Sequence, residues 1–314
     1  MAMLLCLAVV AVPVAGQEEE TLTVASVQFR VAVDTYLSFD AFARTVEQIV
    51  ADAVLNRSAD IVVFPEYLNV FLIAAEYAEV LRDASTVEEA LQRITSGSGE
   101  DPDLMALIRD RAHASAEAAL ALWKELAKAY DVVIVPGTFF VLDEANGREE
   151  IRNRLVVVDH TGTVTYEQDK VYLTDEESAD LGVEPGRVWD AAPVEIGGLA
   201  VGFTICRDTY FDDWDEVLEG AELWIDLRAN GEPYTPEVER RFRRTLPERV
   251  RETDAIAGVN STLTGEFLDF FFEGPSYAVD ENGEQIAESS TPVGPEITTI
   301  ELVRLDESWE VLRR

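Results

Sequence analysis

The chain of 314 residues is poor in the side chains from which most catalysts are built. It holds two cysteines and two histidines, and only Lys124, Lys128 and Lys170 among its 25 basic residues are lysines. The shortage of histidine weighs against Cys–His and Ser–His catalysis. His113 sits mid-way along a helical stretch and His160 in an Asp-His-Thr-Gly turn, so both read as structural. No H-E-x-x-H, C-x-x-C or G-x-S-x-G occurs, which leaves zinc- and serine-hydrolase chemistry without support. No G-x-G-x-x-G or G-x-x-x-x-G-K-[ST] follows a strand, so nucleotide binding lacks its phosphate loop. No acidic run has calcium-loop spacing. Positive charge is also scarce: 61 acidic residues face 25 basic ones, a net charge of −36. Such a surface repels phosphate backbones and anionic lipid, which argues against nucleic-acid and membrane-surface partners. We read it as a solubilising acidic shell. The 47% hydrophobic and 9% aromatic content is that of a globular chain.

The longest apolar run, Met3 to Ala15, is too short to span a bilayer. It resembles the core of a secretory signal peptide, with Val14 and Gly16 as the small residues before a cleavage site, although no Lys or Arg precedes it. Residues 1–16 are therefore expected to be a signal peptide and 17–314 a single domain, exported to a periplasmic or extracellular space. Removal of Cys6 with the signal leaves Cys206 as the sole cysteine, unable to form an internal disulfide and flagged as a reactive thiol.

The remainder alternates strands and helices without repeats or linkers. Strands are predicted at 22–29, 60–65 and 131–136, and a hairpin at 151–169. Further strands follow at 198–206, 221–227, 255–260, 274–280, 284–288 and 297–302. Helices are predicted at 39–55, 76–94, 102–130, 211–220 and 235–254. Short strands mixed with helices fit a single α/β domain with more than one sheet.

A thiol that lacks histidine needs another base. A carboxylate serves if burial raises its pKa, and a lysine can hold the developing charge. Glu66 ends the apolar strand in Phe64-Pro65-Glu66-Tyr67, where it is poised for desolvation. Lys170 follows the second hairpin strand, whereas Lys124 and Lys128 lie four apart on one helix and belong to a solvated face. Cys206 ends a strand just before a helix, an elbow that exposes a side chain beside free backbone N–H groups. All three fall at strand C-termini, where α/β sites gather.

These segments, taken in order, resemble the nitrilase superfamily of carbon–nitrogen hydrolases over residues 22–303. The similarity rests on Val24-Ala-Ser-Val-Gln28, Asp60-Ile-Val-Val-Phe-Pro-Glu66 and Asp169-Lys170-Val-Tyr-Leu173. It continues through Gly202-Phe-Thr-Ile-Cys206-Arg-Asp208, Gly220-Ala-Glu-Leu-Trp-Ile225, Arg249-Val-Arg-Glu252, Gly258-Val-Asn260 and Gly274-Pro-Ser276. The family more often has Arg before the Lys, where this chain has Asp169. The resemblance implies a four-layer α-β-β-α sandwich, commonly a homodimer or higher homo-oligomer, and no metal or organic cofactor. It implies Cys206 as nucleophile, Glu66 as general base and Lys170 as stabiliser of the tetrahedral intermediate, with the Arg207 N–H in the oxyanion hole. It also implies a second Glu ahead of Pro185-Gly186. We assign Glu177, with Glu176 and Glu184 as competitors. Tyr67 and Tyr172, beside the base and the lysine, are expected to touch substrate. Cys206-Arg207-Asp208, where nitrile-directed members tend to have Cys-Trp-Glu, leans toward a small-molecule amide. A non-catalytic binding relative and an acyltransferase using the same thioester are the alternatives.

Overall fold

The computed structural model describes residues 20–96, 103–145, 147–253, 255–306 and 308–313. The expected signal peptide, Cys6 and the Asp101-Pro102 helix start lie outside them.

The chain opens in β1 (Glu20–Val31), whose interior is buried at consecutive positions because both faces are covered. Helix α1 (Phe39–Arg57) follows. Ser38 caps it by accepting the Ala41 N–H, and Phe42, Val46, Val50 and Ala53 form its buried stripe. Next come β2 (Ile61–Val63), α2 (Ala78–Asp83), α3 (Val87–Thr95) and the long α4 (Leu104–Tyr130). The helix predicted over 76–94 is not continuous. A 3-10 segment, Val70–Tyr77, leads into α2, and the chain breaks at Ala84. Thr86 then accepts the Glu89 N–H and starts α3 afresh.

Strands β3 (Val133–Val135), β4 (Thr138–Ala145), β5 (Arg148–Val158) and β6 (Val164–Asp169) come next. β4 is absent from the sequence reading. Past a left-handed Gly137 the chain carries on in the direction of β3, which also runs antiparallel to β5, and pairs with β5 from Thr138↔Leu155 to Ala145↔Arg148. The second half comprises β7 (Val194–Ile196), β8 (Leu199–Ile205), α5 (Asp213–Val217), β9 (Leu223–Ala229) and α6 (Pro236–Glu252). It ends with β10 (Ala257–Phe267), β11 (Phe270–Phe272), β12 (Tyr277–Asp280), β13 (Gln285–Glu288), β14 (Glu296–Leu305) and β15 (Ser308–Val311).

Two sheets share one seam. β1 pairs with β14 and β2 along most of its length, but its last residues, Phe29–Val31, run parallel to Leu263–Gly265 of β10. On the other side β10 continues into the parallel series β9 and β8. Where the sheets part, hydroxyls satisfy the backbone: Ser26 donates to the Asn260 carbonyl at 2.6 Å, and Ser261 Oγ lies 2.6 Å from the Val27 carbonyl. Apolar side chains of both sheets meet between them, Ile61, Val63 and Leu155 against Phe203, Ile205 and Ile225. The outer face of the first sheet packs on α1 and α4 through Phe42 and Trp123. The outer face of the second packs on α5 and α6 through Trp214, Phe242 and Leu246. The order is helix, sheet, sheet, helix, the four-layer sandwich expected.

Gly137 joins β3 to β4 where the backbone passes directly against Pro65. Its φ is +80°, and a Cβ there would lie 2.1 Å from the Pro65 carbonyl oxygen. Gly137→Ala is expected to lower stability by more than about 1 kcal/mol, read by denaturant unfolding, and to reduce any activity that depends on Glu66.

Candidate active site

Three strand ends converge. Glu66 lies three residues beyond β2, Lys170 directly after β6 and Cys206 directly after β8. The Lys170 ammonium, 1% exposed, is 2.8 Å from Glu66 Oε1 and 2.8 Å from Glu177 Oε2. Of the three glutamates considered near Pro185, only Glu177 reaches the cluster; Glu176 and Glu184 are exposed. A single π-turn, Glu176–Asp180, points Glu177 inward, and the Thr174 N–H donates to its Oε2 at 2.9 Å. The chain then returns to the lysine through Gly186, whose N–H donates to the Lys170 carbonyl. A side chain at Gly186 would meet Asp169 Cβ and carbonyl oxygen at 2.8 Å.

Tyr67 and Asn153 complete the inner circle. The Tyr67 hydroxyl donates to Glu177 Oε1 at 2.5 Å. Tyr67 holds a left-handed φ of 63°, and its N–H donates to Thr138 Oγ1. The Asn153 amide donates to Glu66 Oε1 at 3.0 Å and to Glu177 Oε1 at 3.2 Å, bridging the carboxylates. The sequence reading missed Asn153. Its signal was present: it breaks an inward-facing series of Ile151, Leu155 and Val157 on β5. Tyr172 does not join the cluster. Its ring stacks on Phe211 and its hydroxyl bonds Asp213.

Cys206 is half-buried and has φ 54°, left-handed for a residue with a Cβ. It opens a 3-10 turn, Cys206–Tyr210, in which Arg207 is exposed. As the second residue of that turn, Arg207 has an N–H without an intrahelical acceptor. The thiol lies 4.0 Å from the Ala229 carbonyl of β9. Burial first, and then the Glu66 charge, push the Cys206 thiol up to about 12, against the pull of Lys170. Burial likewise raises Glu66 to about 7, opposed by Lys170 and reinforced by Glu177. Glu66 Oε2 is buried and has no hydrogen-bond partner among the described residues, with the Cys206 thiol nearby. Glu177 is held below the ordinary carboxylate range, because Lys170 and the Tyr67 hydroxyl outweigh its burial. Lys170 is held above the ordinary lysine range, since its carboxylate neighbours outweigh its own burial.

The arrangement can therefore keep a thiol protonated at neutral pH, place a carboxyl of near-neutral pKa beside it, and fix a cation next to both. His113 pairs with Glu117 on the surface of α4, and His160 stands exposed in its turn. Among the described residues no group of three His, Cys, Asp or Glu side chains is arranged to hold a metal ion, and no helix is long and apolar enough to cross a membrane.

A thiol at a strand-to-helix elbow, flanked by Glu and Lys on a four-layer sandwich, defines a class of thiol-dependent hydrolases. Residues 23–306 match the carbon-nitrogen hydrolase family, and the chain belongs to it. No functionally curated protein matches the sequence. Among solved structures, an amidase from Nesterenkonia sp. shares the fold with a TM-score of 0.64 at 17% identity, covering 90% of each chain. Its double mutant in complex with acrylamide gives a TM-score of 0.65 at 17% identity, covering 91% of this chain and 92% of that one. Another mutant of that amidase shows covalent addition of the acetamide moiety of fluoroacetamide at its active-site cysteine. It has a TM-score of 0.64 at 16% identity, over 90% of each chain.

The two carboxyls carry opposite pH signatures. Glu66, raised to about 7, stays protonated in the folded protein where the unfolded chain already ionises it. Its contribution to stability is full below the ordinary carboxylate range and is lost as pH rises through about 7. Glu177, lowered, contributes at neutral pH and loses that contribution on acidification. The melting temperature of Glu66→Gln is therefore expected to gain on that of the unsubstituted protein between pH 5 and 8; parallel curves would contradict the raised carboxyl.

Proposed function

We propose that this protein hydrolyses the C–N bond of a small carboxamide through a thioester on Cys206. The observation that carries this reading is the convergence of Glu66, Lys170 and Cys206, with the thiol kept protonated and the base tuned toward neutrality. The covalent adduct at the cysteine of the Nesterenkonia amidase supports it by analogy of fold.

Glu66 takes the Cys206 proton as the sulfur attacks the amide carbonyl. The oxygen that becomes negative is held by the Lys170 ammonium and the Arg207 N–H. Glu66 then gives the proton to the departing nitrogen, the C–N bond breaks, and a thioester remains. Water, losing a proton to Glu66, attacks the thioester carbonyl, and the thiol leaves with that proton. Glu177, with Tyr67 and Asn153, keeps Lys170 charged and aimed throughout. Tyr67 stands between base and second glutamate, where it can also meet substrate. Export with loss of residues 1–16, and assembly as a homo-oligomer, belong to the same proposal.

Ammonia release from a panel of aliphatic, aromatic and amino-acid-derived amides and nitriles tests the reading. Cys206→Ser is expected to keep its melting temperature and lose turnover by about a thousandfold or more. An active Cys206→Ser refutes the nucleophile. Lys170→Arg is expected to lose about a hundredfold or more, because a planar fork does not replace a compact ammonium beside an oxyanion. Release confined to nitriles overturns the amide assignment.

A further inference from the structure

Asp208 is fully buried two residues after the nucleophile, and among the described residues no arginine or lysine bonds it. Its carboxyl, which burial raises to about 8 against the pull of the Tyr172 N–H and Lys170, instead collects backbone N–H groups from two different elements. Oδ1 accepts from Tyr172 at 2.7 Å and from Val171 at 3.1 Å, both in the segment immediately after Lys170. Oδ2 faces the Ile205 N–H at 3.4 Å, the residue immediately before Cys206. One side chain thus closes the start of the Cys206 turn and grips the strand exit that carries Lys170. β6 and β8 are not neighbours in either sheet, so no ladder hydrogen bond sets their separation. Asp169, on the other side of Lys170, cannot serve, because Arg154 of β5 binds it at 2.7 and 3.0 Å and draws it away from the elbow.

We propose that Asp208 is a positioning residue that sets the distance between the Lys170 ammonium and the Cys206 sulfur. It touches neither reacting atom and acts through the backbone on both. The charged and titratable groups that face Cys206 are Glu66 and Tyr67 beyond β2, Lys170 beyond β6, Asp226 and Arg228 on β9, and Tyr210 at the end of its own turn. Of these the two cations, Lys170 and Arg228, favour the thiolate; Arg228 is fixed on β9 by Asp226, so a lysine that drifts away leaves the thiol harder to ionise. Simple removal of a nearby negative charge has the opposite sign: it makes the thiol easier to ionise. The direction of the change therefore separates positioning from bulk electrostatics.

The test rests on the hydrolase reading only in its turnover arm. Asp208→Asn and Asp208→Glu are compared with the unsubstituted protein for iodoacetamide alkylation of Cys206 between pH 7 and 10, followed by peptide mass. Both variants are expected to alkylate about tenfold more slowly at pH 8, with the rate profile displaced about one unit to higher pH. Glu keeps the carboxyl but misplaces it by one methylene, so it does not rescue. On whichever amide the panel identifies, kcat falls about tenfold or more and KM stays within twofold. An unchanged profile, a shift to lower pH, or full rescue by Glu overturns the proposal. Loss of the folded state in both variants also overturns it, in favour of a purely structural role. A protein whose alkylation responds as expected but which turns over no amide counts against the hydrolase reading and leaves the positioning result standing.

Discussion

The Lys170 ammonium is almost wholly removed from water and is met by carboxylates from two directions. A lone buried cation would shed its proton, and a lone buried carboxylate would take one up. Here one cation faces two acids, so the balance cannot close with every group ionised at no cost. The structure resolves this by inequality. Glu177, with the Thr174 N–H and the Tyr67 hydroxyl, is the committed anion. Glu66, with less hydrogen bonding, takes up the strain as a raised pKa. A base that releases and accepts protons near neutrality is thus a by-product of charge arithmetic around a lysine.

That centre is possible because of how the sheets part. β10 leaves β12 and joins β1 half-way along, so the two sheets share a seam yet open away from it. Strand ends from both then face a common space: β2 and β6 of the first sheet bring Glu66 and Lys170, and β8 of the second brings Cys206. The serine hydroxyls at the seam replace the ladder bonds that the parting removes.

The sequence made some of this legible and not the rest, for physical reasons. Residues whose role is chemical stood out because they broke local rules: a Glu closing an apolar strand, a Lys in a chain with almost none, a lone Cys between strand and helix. Glu177 could be narrowed only to a neighbourhood, since its orientation depends on a π-turn that leaves no periodic trace. β4 was hidden because Pro136-Gly137 reads as the end of a strand, whereas the chain carries on from β3 along the same partner, β5. The break between α2 and α3 was hidden in the same way, since a threonine cap looks much like any helical threonine. Tyr172 was read as a substrate contact from its place near Lys170, but its ring stacks on Phe211 and its hydroxyl bonds Asp213, contacts that sequence distance does not reveal. Asn153 broke the apolar series of β5, yet its partners Glu66 and Glu177 show only in the fold, as does the Val171-Tyr172 segment that Asp208 holds.

The burial of Lys170 also decides how the protein meets amine-directed reagents. Lys124 and Lys128, near the C-terminal end of α4, are the other two lysines, and both have access to solvent. Lys170 is enclosed and held charged by its carboxylates, so it offers no free amine even in alkaline solution. Acylating labels, cross-linkers and activated resins that seek lysine ε-amines will therefore attach through one patch beside the His160–Gly162 turn. A preparation immobilised through those lysines keeps its thiol centre chemically intact and presents it in one orientation.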